Sequence, residues 1–223
     1  MNEGLASDRV SNQSDLSHDR PELPPEQVLQ RYALGERDFR GENLSNVRLN
    51  FSDLSGIELS FANLNGARLS GANLKDANLC LAELRDANLH DANLSCADLR
   101  YAILINADLS CAKLLTANLG KAKLQQANLS LADLRGVNLH GADLEGANLQ
   151  NSHLCFARLS NTNLSQANLI GADLSVSDLR NANLRGAFLN DADLRGAELQ
   201  GADLSDADLR GTQFGQDPSL PTV

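Results

Sequence analysis

The chain has 223 residues, 42% of them hydrophobic but only 4% aromatic and none tryptophan, so any buried core is built from small and aliphatic side chains. Nineteen lysines and arginines against 29 aspartates and glutamates leave a net charge of −10, which argues against gripping nucleic acid or an anionic membrane by charge and leaves basic partners open. No run approaches the ~18 consecutive apolar residues of a membrane span. The first twenty residues lack the charged-then-apolar order of a secretory signal, which predicts a cytoplasmic protein with no membrane partner. Four cysteines without a C-x-x-C spacing form neither a disulfide framework nor a zinc or redox motif.

In chain order, residues 1–23 are polar and aperiodic and read as a disordered tail. Residues 24–35 open on Pro24 and Pro25 and continue as EQVLQRYAL, a short helix with Val28, Leu29, Tyr32 and Ala33 on one side and Gly35 to end it. A helix there is expected to cap whatever follows.

Residues 36–216 are set by a period of five. Every fifth residue from Leu34 to Phe214 is leucine, except Phe39 and Phe214 themselves, without one slip of register. Two positions earlier stands alanine, unbroken from Ala62 to Ala132, and later exceptions such as Val137, Ser152, Thr162 and Ser177 stay compact. The slot between favours Asn or Asp. On an α-helix a step of five turns about 500°, so the leucines would circle the axis, and on a continuous strand they would alternate faces. The pattern suits a short extended piece plus a corner: Ala97 and Leu99 point in, Asp98 and Arg100 point out, and Tyr101 and its equivalents, often glycine, make the turn.

Blocks of the form A(D/N)LXX, from about Arg37 to about Gln216, resemble the pentapeptide repeat family over about four fifths of the chain. The resemblance, and not the period, implies four repeats per coil: an all-β solenoid, a right-handed quadrilateral β-helix of about nine coils with the N-terminal capping helix. Stacking at ~4.8 Å would make the rod roughly 43 Å long. Gln27 to Ser45 also resembles the leading segment of many cyanobacterial members, including regulators of heterocyst differentiation. Residues 217–223 form a tail in which Pro218 and Pro221 cannot extend a ladder, and with no apolar helix to pair two copies a monomer is expected.

Chemistry is sparse. With twenty residues per coil His90, His140 and His153 do not converge, the serines after the leucines read as outward strand positions, and Cys80, Cys96, Cys111 and Cys155 fall in four different columns as free thiols. No catalytic, cofactor or metal residues are expected. The surface carries the information. Folding the sequence at twenty stacks Phe61, Leu81 and Tyr101 in one column with Ile103 and Ile105 round the corner, a candidate partner-binding patch. A looser group holds Leu131, Phe156, Ile170, Val176 and Phe188, with Phe156 beside Val176 and Ile170 beside Phe188.

Two functions compete. The first is a non-enzymatic scaffold that binds a protein partner through one face of the rod, regulatory in a cyanobacterium, without direct nucleic-acid binding. The alternative, implied by the resemblance, is a DNA-mimicking modulator of DNA gyrase or topoisomerase. B-DNA carries one charge per ~1.7 Å, roughly 25 over such a length. The chain has −10 in all, and its unbroken register lacks the loops of gyrase-protecting members.

Overall fold

The structure is a computed structural model that describes residues 20–215. Of the two predicted tails, residues 1–19 and 217–223 lie outside the described residues.

Parallel bridges join residues twenty apart, from Asp38–Glu58 through Asn118–Asn138 to Phe188–Asp208, and the last pairing joins β1 (Asp193–Leu194) to β2 (Gln213–Phe214) in register Asp193–Gln213. Twenty residues hold four repeats, so each coil is four-sided and lies on the coil before it.

One repeat, Ala62 to Gly66, shows why the sequence takes this shape, because all five of its N–H groups are satisfied. Ala62 N–H donates back across the corner to Leu59 O at 3.0 Å. Asn63 N–H reaches Glu42 O in the coil before at 3.0 Å, while Leu64 and Gly66 donate to Glu83 O and Arg85 O in the coil after at 2.7 and 2.8 Å. The remaining Asn65 N–H has no carbonyl to meet and is taken by the Asn63 side-chain Oδ1 at 3.1 Å. A side-chain oxygen two residues back meets this need in most repeats, which is what favours Asn or Asp before the leucine.

Asparagine adds a second bond. Its Nδ2 donates to the equivalent side chain one coil earlier, and Asn128, Asn148 and Asn168 climb in this way from Asp108 at 3.1 to 3.2 Å. An aspartate can accept but not donate, so it stands at the foot of such a chain. Asp53 and Asp143 begin two others, under Asn73 and Asn163.

Corners are made by the second residue after the leucine, whose φ is near +60° whether it is Gly66, Asp86, Phe61 or Val176. With an i to i+3 hydrogen bond across the corner, this is the backbone sign of a type II turn, which favours glycine. Twenty-three described corners carry another residue.

Inside the coils the leucines and alanines are almost wholly buried, Leu119 and Ala117 at 0% exposure. Each fully buried leucine contributes roughly 1.5–3 kcal/mol. Where a hydroxyl takes the alanine slot it turns back to the backbone: Ser152, Thr162 and Ser177 donate to Leu149, Leu139 and Leu174 carbonyls at 2.7 to 2.8 Å. A buried polar group is tolerated there because it is satisfied.

Helix α1 spans Pro25–Ala33, with Pro25 in its first turn. It ends in a Schellman motif, Glu36 N–H to Arg31 O and Gly35 N–H to Tyr32 O, both at 3.0 Å, with Gly35 at φ +93°. Its inner side is narrower than the apolar pattern predicts. Val28 is buried and Tyr32 half-buried, but Leu29 is 41% exposed and Ala33 is also exposed. Leu34, the first leucine of the period, caps the helix and stands 82% exposed.

Polar anchors do the rest. Tyr32 Oη donates to Ser55 O at 2.7 Å, and the Arg31 guanidinium lies over the Phe39 ring at 4.7 Å while pairing with Glu36 and Glu42. The tail boundary at residue 23 needs correction. Leu23 N–H donates to Asn43 O at 2.8 Å, and Asn43 Nδ2 reaches Arg20 O at 2.8 Å, so residues 20–23 are hydrogen-bonded to the first coil.

Candidate interaction surface

Phe61, Leu81 and Tyr101 each stand at a corner with φ of +60 to +61°, one above the next. Their N–H groups bond the coil above, Phe61 to Cys80 O, Leu81 to Arg100 O and Tyr101 to Gly120 O. Stacking leaves Phe61 and Leu81 half-buried and Tyr101 47% exposed. The Lys121 ammonium, one coil on, lies 5.7 Å from the Tyr101 ring centre. Gly41 and Gly141 bound this column, so its bulk is confined to four coils.

Ile103 and Ile105 flank buried Leu104 on the next side, both half-buried, with Ile103 bridged to Glu83 and Lys123. The structure therefore brings all five residues of the patch to one corner and the side beyond it. Ile103 has no oxygen with which to accept the Ile105 N–H, the role its slot usually fills. Just above, Gln125 Nε2 donates to Asp143 at 2.6 Å, and its Oε1 is buried without a partner among the described residues.

The second group divides. Phe156 and Val176 share one corner, 65% and 54% exposed, and Phe188 lies one coil above Asn168, two residues before Ile170. Leu131 joins neither, since it lines a separate cleft with Cys111, Asp133 and His153. Sequence reasoning also missed Phe51, the most exposed aromatic of the described residues at 80%, although its slot in the period is a corner.

Charge is neutralised locally. In the Asp-Leu-Arg repeats the arginine forks back onto its own aspartate two residues earlier, as in Arg100–Asp98 at 2.6 Å, Arg135–Asp133 at 2.7 Å and Arg180–Asp178 at 2.8 Å. The hydrogen bonds from Arg180 hold the Asp178 carboxyl down at about 2, and those from Arg40 do the same for Asp38. Burial pushes the Cys80 and Cys155 thiols up, and all four cysteines are free.

Two histidines are less isolated than expected. His90 Nδ1 and His140 Nδ1 each lie 2.9 Å from a serine one coil above, Ser110 and Ser160. Ser110 gives its proton to Asp108 at 2.6 Å, so it can only accept from His90. This order leaves the histidine a donor and the serine unactivated, the reverse of what nucleophilic catalysis needs. The serines themselves occupy the first turn residue, not an outward strand position, and those that follow an Asn or Asp, such as Ser95, Ser110 and Ser130, bond it with their hydroxyls. Among the described residues no group of three His, Cys, Asp or Glu could hold a metal, and no helix is long and apolar enough to cross a membrane.

Comparison with known proteins agrees with the geometry. No curated relative matches the chain. A solved structure of HetL, a pentapeptide repeat protein involved in heterocyst differentiation regulation from the cyanobacterium Nostoc sp. strain PCC 7120, is 35% identical, over 88% of this chain and 98% of that one, with a TM-score of 0.36. QnrB1, a plasmid-mediated fluoroquinolone resistance protein, is 24% identical over 81% and 88%, with a TM-score of 0.47. Rfr23 from the cyanobacterium Cyanothece 51142 is 27% identical over 85% and 97%, with a TM-score of 0.15. These TM-scores are too low for the superpositions to carry weight. The pentapeptide repeats family model, in contrast, matches eight copies, within residues 43–79, 82–114, 117–151, 147–186 and 177–211. With five-residue repeats, twenty-residue coils and these matches, the chain belongs to the pentapeptide repeat family, whose fold is the right-handed quadrilateral β-helix.

Proposed function

We propose that the protein is a non-enzymatic scaffold that binds a protein partner through the side of the rod carrying Phe61, Leu81, Tyr101, Ile103 and Ile105. One observation carries this reading: five large apolar residues converge on one corner and the adjoining side, half-buried or exposed, where the same slots in neighbouring coils hold glycine, amide or charged residues such as Gly141, Gln125, Glu83 and Lys123. Contiguous apolar surface of this kind marks partner sites, and Tyr101 is the residue type that dominates them. The rod of about nine coils, closed at its N-terminal end by α1 and Leu23, acts as a rigid support for that surface. The kinship with HetL makes a regulatory role in a cyanobacterium the natural setting.

The test is capture of partners from a cyanobacterial lysate, identified by mass spectrometry, with the parent chain, with Tyr101→Asp plus Ile103→Asp, and with Asn161→Asp on the same corner as a control. The double variant is expected to lose a partner that the control keeps. A partner set that survives Tyr101→Asp plus Ile103→Asp unchanged would sink the proposal. The gyrase alternative is weaker, because the Asp-Leu-Arg pairs offset much of the acidity a DNA mimic must display. A supercoiling assay with purified gyrase at micromolar protein is expected to show no effect.

A further inference from the structure

Arginine meets two environments on this rod. Arg40, Arg100, Arg135, Arg180, Arg195 and Arg210 are each held by the aspartate two residues earlier. Arg48 and Arg68 instead occupy the ladder slot itself and are bridged directly to each other in adjacent coils, both exposed. Among the described residues neither guanidinium has an ion-pair or hydrogen-bond partner.

Like charges facing each other across neighbouring strands are destabilising. Higher on the same side the slot holds the amide chain of Asn128, Asn148 and Asn168, which would be the stabilising choice here too. The surroundings nonetheless accommodate the arginines. Arg68 cannot accept the Ser70 N–H, and Asn50 of the coil below accepts it through Oδ1 at 3.0 Å. Phe51, at the next corner with φ +58°, lays its ring where a Cβ on Gly71 would come within 2.5 Å of it. Only glycine at 71 leaves that ring position open. Beside Phe51 and Arg68 runs an open cleft of about 570 Å³ whose lining includes Ser70, Asn88 and one carboxylate, Asp86, while Arg48 lines the neighbouring cleft with Glu22 and Ser45.

We propose that Arg48, Arg68 and Phe51 form a second docking site, for an acidic peptide segment of a partner protein, with its carboxylates on the two guanidiniums and an apolar side chain on the Phe51 ring. Guanidinium and carboxylate match as planar forks, and the uncompensated repulsion between the arginines is relieved by that ligand. A long polyanion such as nucleic acid fits less well, because it meets the −10 of the rest of the chain, whereas a short segment meets only its local surroundings. The site lies one side round from Ile103, toward the N-terminal end, and stands whether or not the Tyr101 patch binds anything.

The test is fluorescence anisotropy on the full chain with a fluorescein-labelled synthetic peptide, Gly-Ser-Asp-Phe-Glu-Leu-Gly-Ser, and its Asn/Gln counterpart. Saturable binding of the acidic peptide is expected, at least tenfold weaker for Arg48→Asn, Arg68→Asn and the Asn/Gln peptide, and at least threefold weaker for Phe51→Ala. Thermal melting separates this from a structural role, since Arg68→Asn restores an amide slot and should melt above the parent while losing the peptide. Failure of the parent chain to bind, equal affinity in both arginine variants, or an Arg68→Asn variant that melts below the parent each overturns the proposal. Tighter binding of a twelve-nucleotide single-stranded DNA through the same arginines also overturns it, in favour of a nucleic-acid site.

Discussion

The interior of the coils and their corners are repeated equally often and obey different rules. Every interior slot receives the same volume between the same neighbours, so Leu and Ala recur with few exceptions, and Ser152 or Thr162 enters only by bonding a carbonyl. A corner demands only a backbone sign, φ near +60°, and Gly, Asp, Asn, Phe, Tyr and Val all meet it. Left-handed backbone costs a non-glycine residue roughly 1–2 kcal/mol, so a bulky corner is a modest expense that one coil can absorb. Sequence variation therefore collects at corners and outward slots. Phe51, Phe61, Tyr101 and Phe156, four of the few aromatics in the chain, all stand at corners.

The largest break in that contrast should come from a charge inside. Leu119→Asp places an unpaired carboxylate in a slot of 0% exposure and should cost more than ~4 kcal/mol, read as loss of cooperative urea unfolding. A variant that unfolds like the parent would mean the leucine column is not the core. Next comes the amide chain. Asn148→Leu strands the Gln150 N–H and the Asn168 Nδ2, takes one of three donors from the Asn128 Oδ1, and should cost ~1–3 kcal/mol in the stability read from urea unfolding. Asn148→Asp keeps the two acceptor roles and should lose clearly less.

Acid should act on the outward slots and spare the interior. The Asp38 and Asp178 carboxyls titrate at about 2 in the fold, below the ~3.9 of an unfolded aspartate, so their contribution is complete above pH ~4 and disappears as the pH falls toward 2. Melting temperatures should hold steady from pH 7 to about 4 and then decline. Arg180→Gln should blunt part of that decline. A fall that begins well above pH 4 would mean that these carboxylates do not set it. The smallest effect belongs to the corner. Val176→Gly removes a β-branched residue from φ +57° and should change stability by no more than ~1 kcal/mol, toward higher stability, whereas Ala117→Gly inside should lower it.

The inward positions were legible because each is set by a local rule applied in register: Leu119 and Ala117 follow from a period that no insertion interrupts. The five residues of the Tyr101 patch were legible too, once a coil of twenty was adopted from the family resemblance. Other features depended on atoms distant in sequence. That Asn50 takes over the Ser70 N–H, that the Phe51 ring needs Gly71 bare, and that His90 meets Ser110 are contacts between coils, invisible in any one repeat. The helix misled for a related reason. Its apolar pattern marks Leu29 and Ala33 for burial, but α1 meets a single narrow coil and turns Val28, Tyr32 and the polar Arg31 to it instead. The sequence by itself determined the period, the inward columns and the corner positions, since these depend on five residues and the sign of one dihedral. Only the tertiary structure decided which side chains of successive coils support, neutralise or repel one another, because that depends on stacking residues twenty apart at the ~4.8 Å spacing of paired strands.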